Sequence, residues 1–409
     1  MSAIIFENCT LLDVEQGQML PDRSIMVEGE RIREVADRPI RLADAQRIDV
    51  HGRTLMPGLC DAHVHVTQLY SNLQALRQVA PSYVSAQASV VMRDMLRRGF
   101  TTVRDAGGAD YGLADAVAEG LFEGPRLLFS GHALTQTGGH GDMRQRGEDR
   151  IDFCPACVGR SGRICDGVDE VRRAARDELR KGASQIKLMV SGGVTSPLDR
   201  IDSTQFSLDE IRAAVEEAEA QHRYVMAHAY TPQAINRALE SGVRSIEHGS
   251  LLDEPTAEHI VRRNAFLVPT IVVLRAMVKH GESIGLPDVF RAKAAEVEMS
   301  AIRGLEIAMR SGVRMAFGSD LFGPMLSCQS DEFGIRSEVQ KPIDVIRSAT
   351  LHAAELFNMT GQIGVIAPGA YADVLVVDGD PVTDINLLQE QGKHLDIIMK
   401  DGRFVVKRL

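Results

Sequence analysis

Apolar and polar positions follow two styles along the chain. At both ends, short apolar runs are punctuated by Gly and Asp. They are AIIFENCTLLD (3–13), RSIMVEGERIREVA (23–36) and QRIDVHGRTLM (46–56), then ADVLVVDGD (372–380), LDIIMKDG (395–402) and RFVVKRL (403–409). Runs of this length and punctuation predict strands. Residues 1–56 and 365–409 are expected to form one small β-sandwich domain from both termini. Between them, over 57–364, apolar strand-like runs take turns with helix-period segments. The strand candidates are CDAHVHV (60–66), TTVRDAG (101–107), RLLFSG (126–131), QIKLMVSG (185–192), YVMAHAY (224–230), RSIEHG (244–249), AFLVPTIV (265–272) and VRMAFGSD (313–320). SLDEIRAAVEEAEAQ (207–221) illustrates the helical partner, with Ser207 and Glu210 at capping-box spacing before apolar positions of helical period.

Eight strand–helix units in roughly 300 residues predict an α/β fold, a (β/α)8 TIM-like barrel. A doubly wound open sheet would carry a Gly-rich phosphate fingerprint after its first strand, and none follows CDAHVHV. One connection stands out. Residues 132–167 show no clear element and far exceed an ordinary loop. Their polar, flexible Gly-His-Gly-Asp core predicts a lid over the barrel mouth.

Composition narrows the function classes. The 409 residues are 44% hydrophobic and 25% charged, as in a soluble globular protein. A net charge of -10 gives a nucleic-acid partner no electrostatic support. The longest apolar run, AFLVPTIVVL (265–274), is interrupted by Pro269 and falls well short of a membrane span. Glu7 stands where a secretory leader needs an unbroken apolar core, so the N-terminus reads as a first strand. Six cysteines without a regular framework suit a reducing cytoplasm.

The chemistry gathers at predicted strand ends. Catalytic groups in such barrels sit at the C-terminal ends of the strands. There the sequence supplies His63 and His65 from strand one and Lys187, amid Ile186, Leu188 and Met189, from strand four. His228 follows from strand five, His248 from strand six and Asp320 from strand eight. Alternate residues of a strand face one way. An isolated His-x-His pair could therefore be two core histidines bonded to backbone, and Asp320 a helix cap. A buried lysine is costly unless paired or neutralised. Four imidazoles, a carboxylate and a lysine at one barrel end instead form a donor set for Zn²⁺ or a similar divalent ion.

This set resembles the amidohydrolase superfamily in its binuclear form, through PGLCDAHVHV (57–66), Lys187, His228, EHG (247–249) and GSD (318–320). The resemblance spans nearly the whole chain. It implies two divalent metal ions, taken as Zn²⁺, bridged by a carboxylated Lys187. His63, His65 and Asp320 would hold the more buried ion, and His228 and His248 the other. Within the superfamily, FTTVRDAGG (100–108), LTQTGGHGD (134–142), IKLMVSGGV (186–194), MAHAYTP (226–232) and SDLFGPMLSCQSDEF (319–333) are similar to microbial prolidase-like peptidases and their relatives. Those relatives include carboxypeptidases releasing Arg or Lys and ochratoxin-type amidases. The resemblance further implies a homo-oligomer, up to an octamer.

The expected activity is hydrolysis of Xaa-Pro dipeptides and N-acyl-prolines by a metal-bridging hydroxide, with Asp320 as general base. Tyr230, two beyond His228, is expected to donate to the oxyanion, and His140 to bind the substrate α-carboxylate. Leu321, Phe322, Pro324, Met325 and Leu326 are expected to line the proline pocket. Asp331 and Glu332 either face water or pair with the basic side chain that the alternative carboxypeptidase would release. Cys154, Cys157 and Cys165 offer three thiols, one short of a four-cysteine zinc site. His132, His222, His259, His280 and His352 read as structural or surface residues. Mononuclear ring deaminases of the superfamily lack the lysine and carry Glu after the strand-five histidine, where this chain has Ala229-Tyr230-Thr231. Non-catalytic assembly relatives typically lose metal ligands, and all six candidates are kept here.

Overall fold

Eight parallel strands appear in the expected order: Leu59–Val64, Phe100–Asp105, Arg126–Phe129, Ile186–Met189, Val225–Ala229, Ser245–His248, Phe266–Val268 and Arg314–Met315. They belong to a computed structural model that describes residues 3–149, 162–196 and 199–409. Backbone bonds join the ladders into a ring. Ser184 N–H donates to Phe129 O at 2.9 Å, linking strands three and four. Ala62 N–H donates to Phe317 O at 2.7 Å and Asp320 N–H to His63 O at 2.8 Å, linking the eighth to the first. The result is a (β/α)8 barrel wrapped by helices such as Leu208–Ala220, which Ser207 and Glu210 start with the expected reciprocal capping box.

The terminal strands form one mixed sheet of eight, in which Thr54–Pro57 joins the N-terminal strands to Val374–Val377. The run VLVV at 374–377 shows why both faces are apolar. Val374 and Val376 enter the core of the small sheet with Phe6, Ile25 and Ile32. Leu375 and Val377 point the other way, onto barrel residues Met92, Phe100 and Phe317. Period-two alternation thus fills two cores with one strand. The sheet also folds back on itself, since Ile32 N–H reaches Ala370 O at 2.9 Å.

Four local readings need correction. The predicted strand 265–272 ends at Val268, and Ile271–His280 is a helix. Pro269 breaks the ladder, and a short apolar run carries no period that separates strand from helix. The predicted strand 313–320 is a ladder only at Arg314–Met315. Within 132–167, Ala133–Thr135 and Gly162–Ile164 pair as parallel strands. The strand Gln18–Glu28 begins before the predicted residue 23, and carries Pro21 next to a register shift, where a missing N–H is tolerated. Among the described residues no helix is long and apolar enough to cross a membrane.

Candidate active site

His63 lies on the buried strand Leu59–Val64, with His65 just beyond its end. Asp61 fixes the local backbone. Its carboxylate accepts from His63 N–H at 3.0 Å, Ser319 N–H at 3.2 Å, Ser319 Oγ–H at 2.6 Å and Gln329 Nε2–H at 2.9 Å. One wholly buried anion therefore ties the His63 strand to the segment carrying Asp320. Beneath it, Glu247 Oε2 lies 2.6 Å from His63 Nδ1, and Arg104 Nη2 donates to Glu247 Oε1 at 2.9 Å. Arg104 and Glu247 are completely buried, so each compensates the other's charge. Glu247 is pulled down to about 2. Burial alone would raise it, but Arg104 and His63 outweigh that.

These contacts set which ring nitrogen faces the cavity. His63 Nδ1 faces Glu247, and His65 Nδ1 faces Gly107 O at 3.0 Å, so each donates outward. Their Nε2 atoms then approach Asp320 Oδ1 at 3.3 and 3.1 Å. Ligand atoms of His63, His65 and Asp320 all lie within 4.8 Å of one another. Two imidazole lone pairs and a carboxylate oxygen this close repel unless a proton or a metal ion lies among them; against its burial, Asp320 holds His65 above the ordinary imidazole range, and the same donor set fits a divalent metal. His228 Nε2 lies 3.1 Å from Gly192 O, which leaves Nδ1 as its free lone pair. His248 Nδ1 lies 2.8 Å from Thr270 Oγ1, and its ring is 4.6 Å from that of His228 and 5.0 Å from that of His63.

Electrostatics agree with this donor set. Burial, then positive neighbours, push His228 well below the imidazole range, and burial does the same to His248 against the pull of Asp320. Both are held neutral, as ligands must be. Asp320 sits well below the carboxylate range, because His63, His65 and His248 outweigh its burial. Lys187 is pushed down to about 8, chiefly by burial, which makes its free amine accessible near neutrality. His248 and Asp320 also have φ of 71° and 56°, the left-handed region that non-glycine residues seldom occupy. Such strain persists where surrounding contacts enforce it, and it clusters at functional sites.

One cavity collects all eight predicted site residues: His63, His65, His140, Lys187, His228, Tyr230, His248 and Asp320. Tyr230 is buried, its ring stacked 5.1 Å from His248, and burial raises its hydroxyl so that it keeps its proton. His140 stacks on His228 at 4.2 Å. Of the segment expected to form a lid, His140, Gly141 and Met143 line the site. Residues 150–161, with Cys154 and Cys157, lie outside the described residues, and Cys165 is buried in the barrel core.

The apolar wall is not the expected one. Of the segment 321–326 only Phe322 lines the cavity, and Met325 turns into the barrel core. Val273, Leu274 and Met277 of the misread helix Ile271–His280 form the wall instead. Glu332 neither faces water nor enters the cavity. It is fully buried, and Oε2 accepts from Val272 N–H at 2.7 Å in the first turn of that helix. Burial pushes its carboxyl up to about 8 despite the attraction of Arg336. Gln68 and Thr195 also line the cavity, and nothing in their spacing announced it. Glu247 was visible within EHG, but its partner Arg104 was not.

The profile of the Amidohydrolase family matches residues 54–405. A solved prolidase in complex with N-methylphosphonate-L-proline is 48% identical, covers 100% of both chains and superposes with a TM-score of 0.97. A solved Xaa-Pro dipeptidase with methionine bound in its active site is 30% identical over 98% of this chain and 99% of its own, with a TM-score of 0.89. Ochratoxinase from Aspergillus niger is 32% identical over 85% of this chain and 75% of its own length.

Proposed function

The chain belongs to the amidohydrolase family, hydrolases that act on C–N bonds, and from that membership we propose that it is a binuclear metallopeptidase cleaving Xaa-Pro dipeptides and N-acyl-prolines. The observation that carries the reading is the convergence of His63, His65, Lys187, His228, His248 and Asp320 on one cavity. His63, His65 and Asp320 would hold one Zn²⁺ and His228 and His248 the other, and Lys187, carboxylated by CO₂, would supply an anionic oxygen ligand to both. When bound, the ions supply a Lewis acid for the scissile carbonyl and lower the pKa of the attacking water.

The chain's own groups do the rest. Asp320 accepts the proton of the attacking water and delivers it to the leaving nitrogen, which an Xaa-Pro amide requires before it can depart. Tyr230, protonated and beside His248, donates to the oxygen that becomes anionic. His140, with Nδ1–H given to Ser196, binds the substrate α-carboxylate as the doubly protonated ring, through Nε2–H. The substrate class is supported by the prolidase with its proline phosphonate, similar across the full chain. The Arg/Lys carboxypeptidase reading is disfavoured by the cavity lining. Among the described residues the only carboxylate side chain lining it is Asp320, already engaged by histidines. The ochratoxin-type reading keeps the support of the Aspergillus niger relative.

We also take residues 1–56 with 365–409 as the sandwich unit and 57–364 as the catalytic unit, working in a cytoplasmic homo-oligomer. Turnover of Ala-Pro, N-acetyl-proline, Ala-Arg and Ala-prolinamide by the zinc-loaded protein tests the substrate. The two prolines bearing a free carboxylate are expected to be cleaved, with the amide at least ~10-fold slower. Preference for Ala-Arg transfers the assignment to the carboxypeptidase. Equal turnover of amide and acid removes the carboxylate contact.

A further inference from the structure

His140 does not sit on a barrel strand, yet the residue is only 6% exposed. One face lies on His228, with planes 17° apart. The other lies on bare backbone, where a Cβ at Gly193 would come within 2.3 Å of His140 Cε1 and 2.7 Å of Nε2. Nδ1 lies 2.7 Å from Ser196 Oγ and 3.4 Å from Asp199 Oδ2, and the Ser196 hydroxyl donates to Asp199 Oδ1. The direction of this chain is fixed by its end. A carboxylate can only accept, so Ser196 donates to it and itself accepts from His140 Nδ1–H.

Two further side chains hold this arrangement as a unit. Gln205 Oε1 accepts from His140 N–H at 2.8 Å, and Gln205 Nε2–H donates to Asp199 Oδ2 at 3.1 Å. Lys293, on the helix Asp288–Arg310, donates to the carbonyls of Gly193, Ser196 and Asp199 at 3.1, 3.0 and 2.9 Å. A single ammonium thus pins the backbone of three residues that contact the ring. Among the described residues none of Ser196, Asp199, Gln205 and Lys293 lines the cavity, whereas His140 does. Ser196, Asp199 and Gln205 meet the cavity lining at His140, through its ring and its backbone N–H.

A serine nucleophile is ruled out by the order of the groups. In a hydrolytic triad the imidazole lies between serine and carboxylate and takes the serine proton. Here serine lies between imidazole and carboxylate, buried and outside the cavity lining.

We infer that Asp199 is a positioning residue which, through Ser196 and against the bare backbone of Gly193, fixes the His140 ring so that Nε2 points into the cavity. The inference rests on the proposed use of His140 as a substrate contact, and it assigns that contact's aim to groups that never meet substrate. Gly193 is glycine for this reason. Its φ lies outside the left-handed region, and the three atoms nearest a methyl group there all belong to the ring it seats.

A double-mutant cycle in the zinc-loaded protein tests this. Asp199→Ala alone is expected to lower kcat/KM for N-acetyl-proline by about 10–100-fold, the usual effect of removing an orienting partner, mainly through KM. In a His140→Ala background the same change is expected to cost less than about 2-fold, because the group it acts through is gone. Gly193→Ala is expected to behave alike, and the metal content of every variant to match the unaltered protein. Equal losses in both backgrounds, or no loss from Asp199→Ala alone, overturn the inference. A crystal structure of Asp199→Ala gives a readout free of substrate. The His140 ring is expected to leave its stack on His228, and a ring unmoved contradicts the assignment. If the unaltered protein cleaves no prolyl substrate, the proposed function fails, while the ring position still decides this inference.

Discussion

His63 and His140 are both buried imidazoles facing one cavity, and they are held by different means. His63 is seated on a strand whose neighbours are fixed by the barrel, and Glu247 and Arg104 lock its tautomer from below. His140 is borne by a connection and is held by side chains from elsewhere: Ser196 and Asp199 beside it, Gln205 on its backbone, Lys293 on a distant helix. The strand-borne corner gathers groups that need one another's charge. The loop-borne side carries groups that need aiming. This division matches the chemistry proposed for each, since metal ligands must keep fixed mutual distances while a substrate contact must meet a molecule that comes and goes.

The comparison breaks first at Asp320. Asp320→Asn keeps a carbonyl oxygen for coordination but removes the proton acceptor. A drop in kcat of ~10²–10⁴ is expected, with little change in KM. Steady-state kinetics decide it, and a loss near tenfold would assign the base elsewhere. Glu247→Gln probes the support below the strand. It leaves an amide against His63 Nδ1 and an uncompensated Arg104, so a ~10–100-fold loss in activity or metal affinity is expected. Metal titration of the apoprotein should show the weakened binding directly, and unchanged affinity would mean that backbone alone orients His63. The smallest effect on turnover is expected far from both. Leu375, fully buried between sheet and barrel, faces Phe100 and Phe317 rather than the cavity. Leu375→Ala should cost about 2–5 kcal/mol of stability, measured by denaturant unfolding, and leave kcat of the folded protein within about twofold. A large loss of kcat there would show that the small sheet shapes the site.

The same division explains what could be read from sequence. His63, His228 and His248 stand at or one residue short of strand ends, His65 just beyond one, Lys187 inside the fourth strand and Asp320 in the segment after the eighth, and a strand's position in a barrel follows from its order in the chain. Once eight strands were counted, their ends had to meet. The wall residues Val273 and Leu274 are hidden because AFLVPTIVVL is apolar at every position but Pro269 and Thr270 and so carries no period, and Met277 lies on the same helix beyond that run. Arg104 was missed because TTVRDAG reads as an ordinary strand, and only the structure shows its guanidinium against a carboxylate 143 residues away. Ser196 and Asp199 were missed for the same reason. A polar loop residue reveals its partner only when another loop, here that of His140, is laid across it. Glu332, expected to face water or substrate, instead accepts from Val272 N–H, in the first turn of a helix whose opening two residues read as the end of a strand.

The central claim is that the strand-borne corner is a binuclear metal centre bridged through Lys187. The direct measurement is elemental analysis of the purified protein beside its Lys187→Ala variant, with folding checked by circular dichroism. Lys187 lies amid His63, His228 and His248 with its amine pushed down to about 8, and no other residue of the set can form a carbamate. The account predicts about two divalent ions per chain in the unaltered protein and the loss of at least one in the variant. A folded Lys187→Ala protein with its full metal content would contradict it.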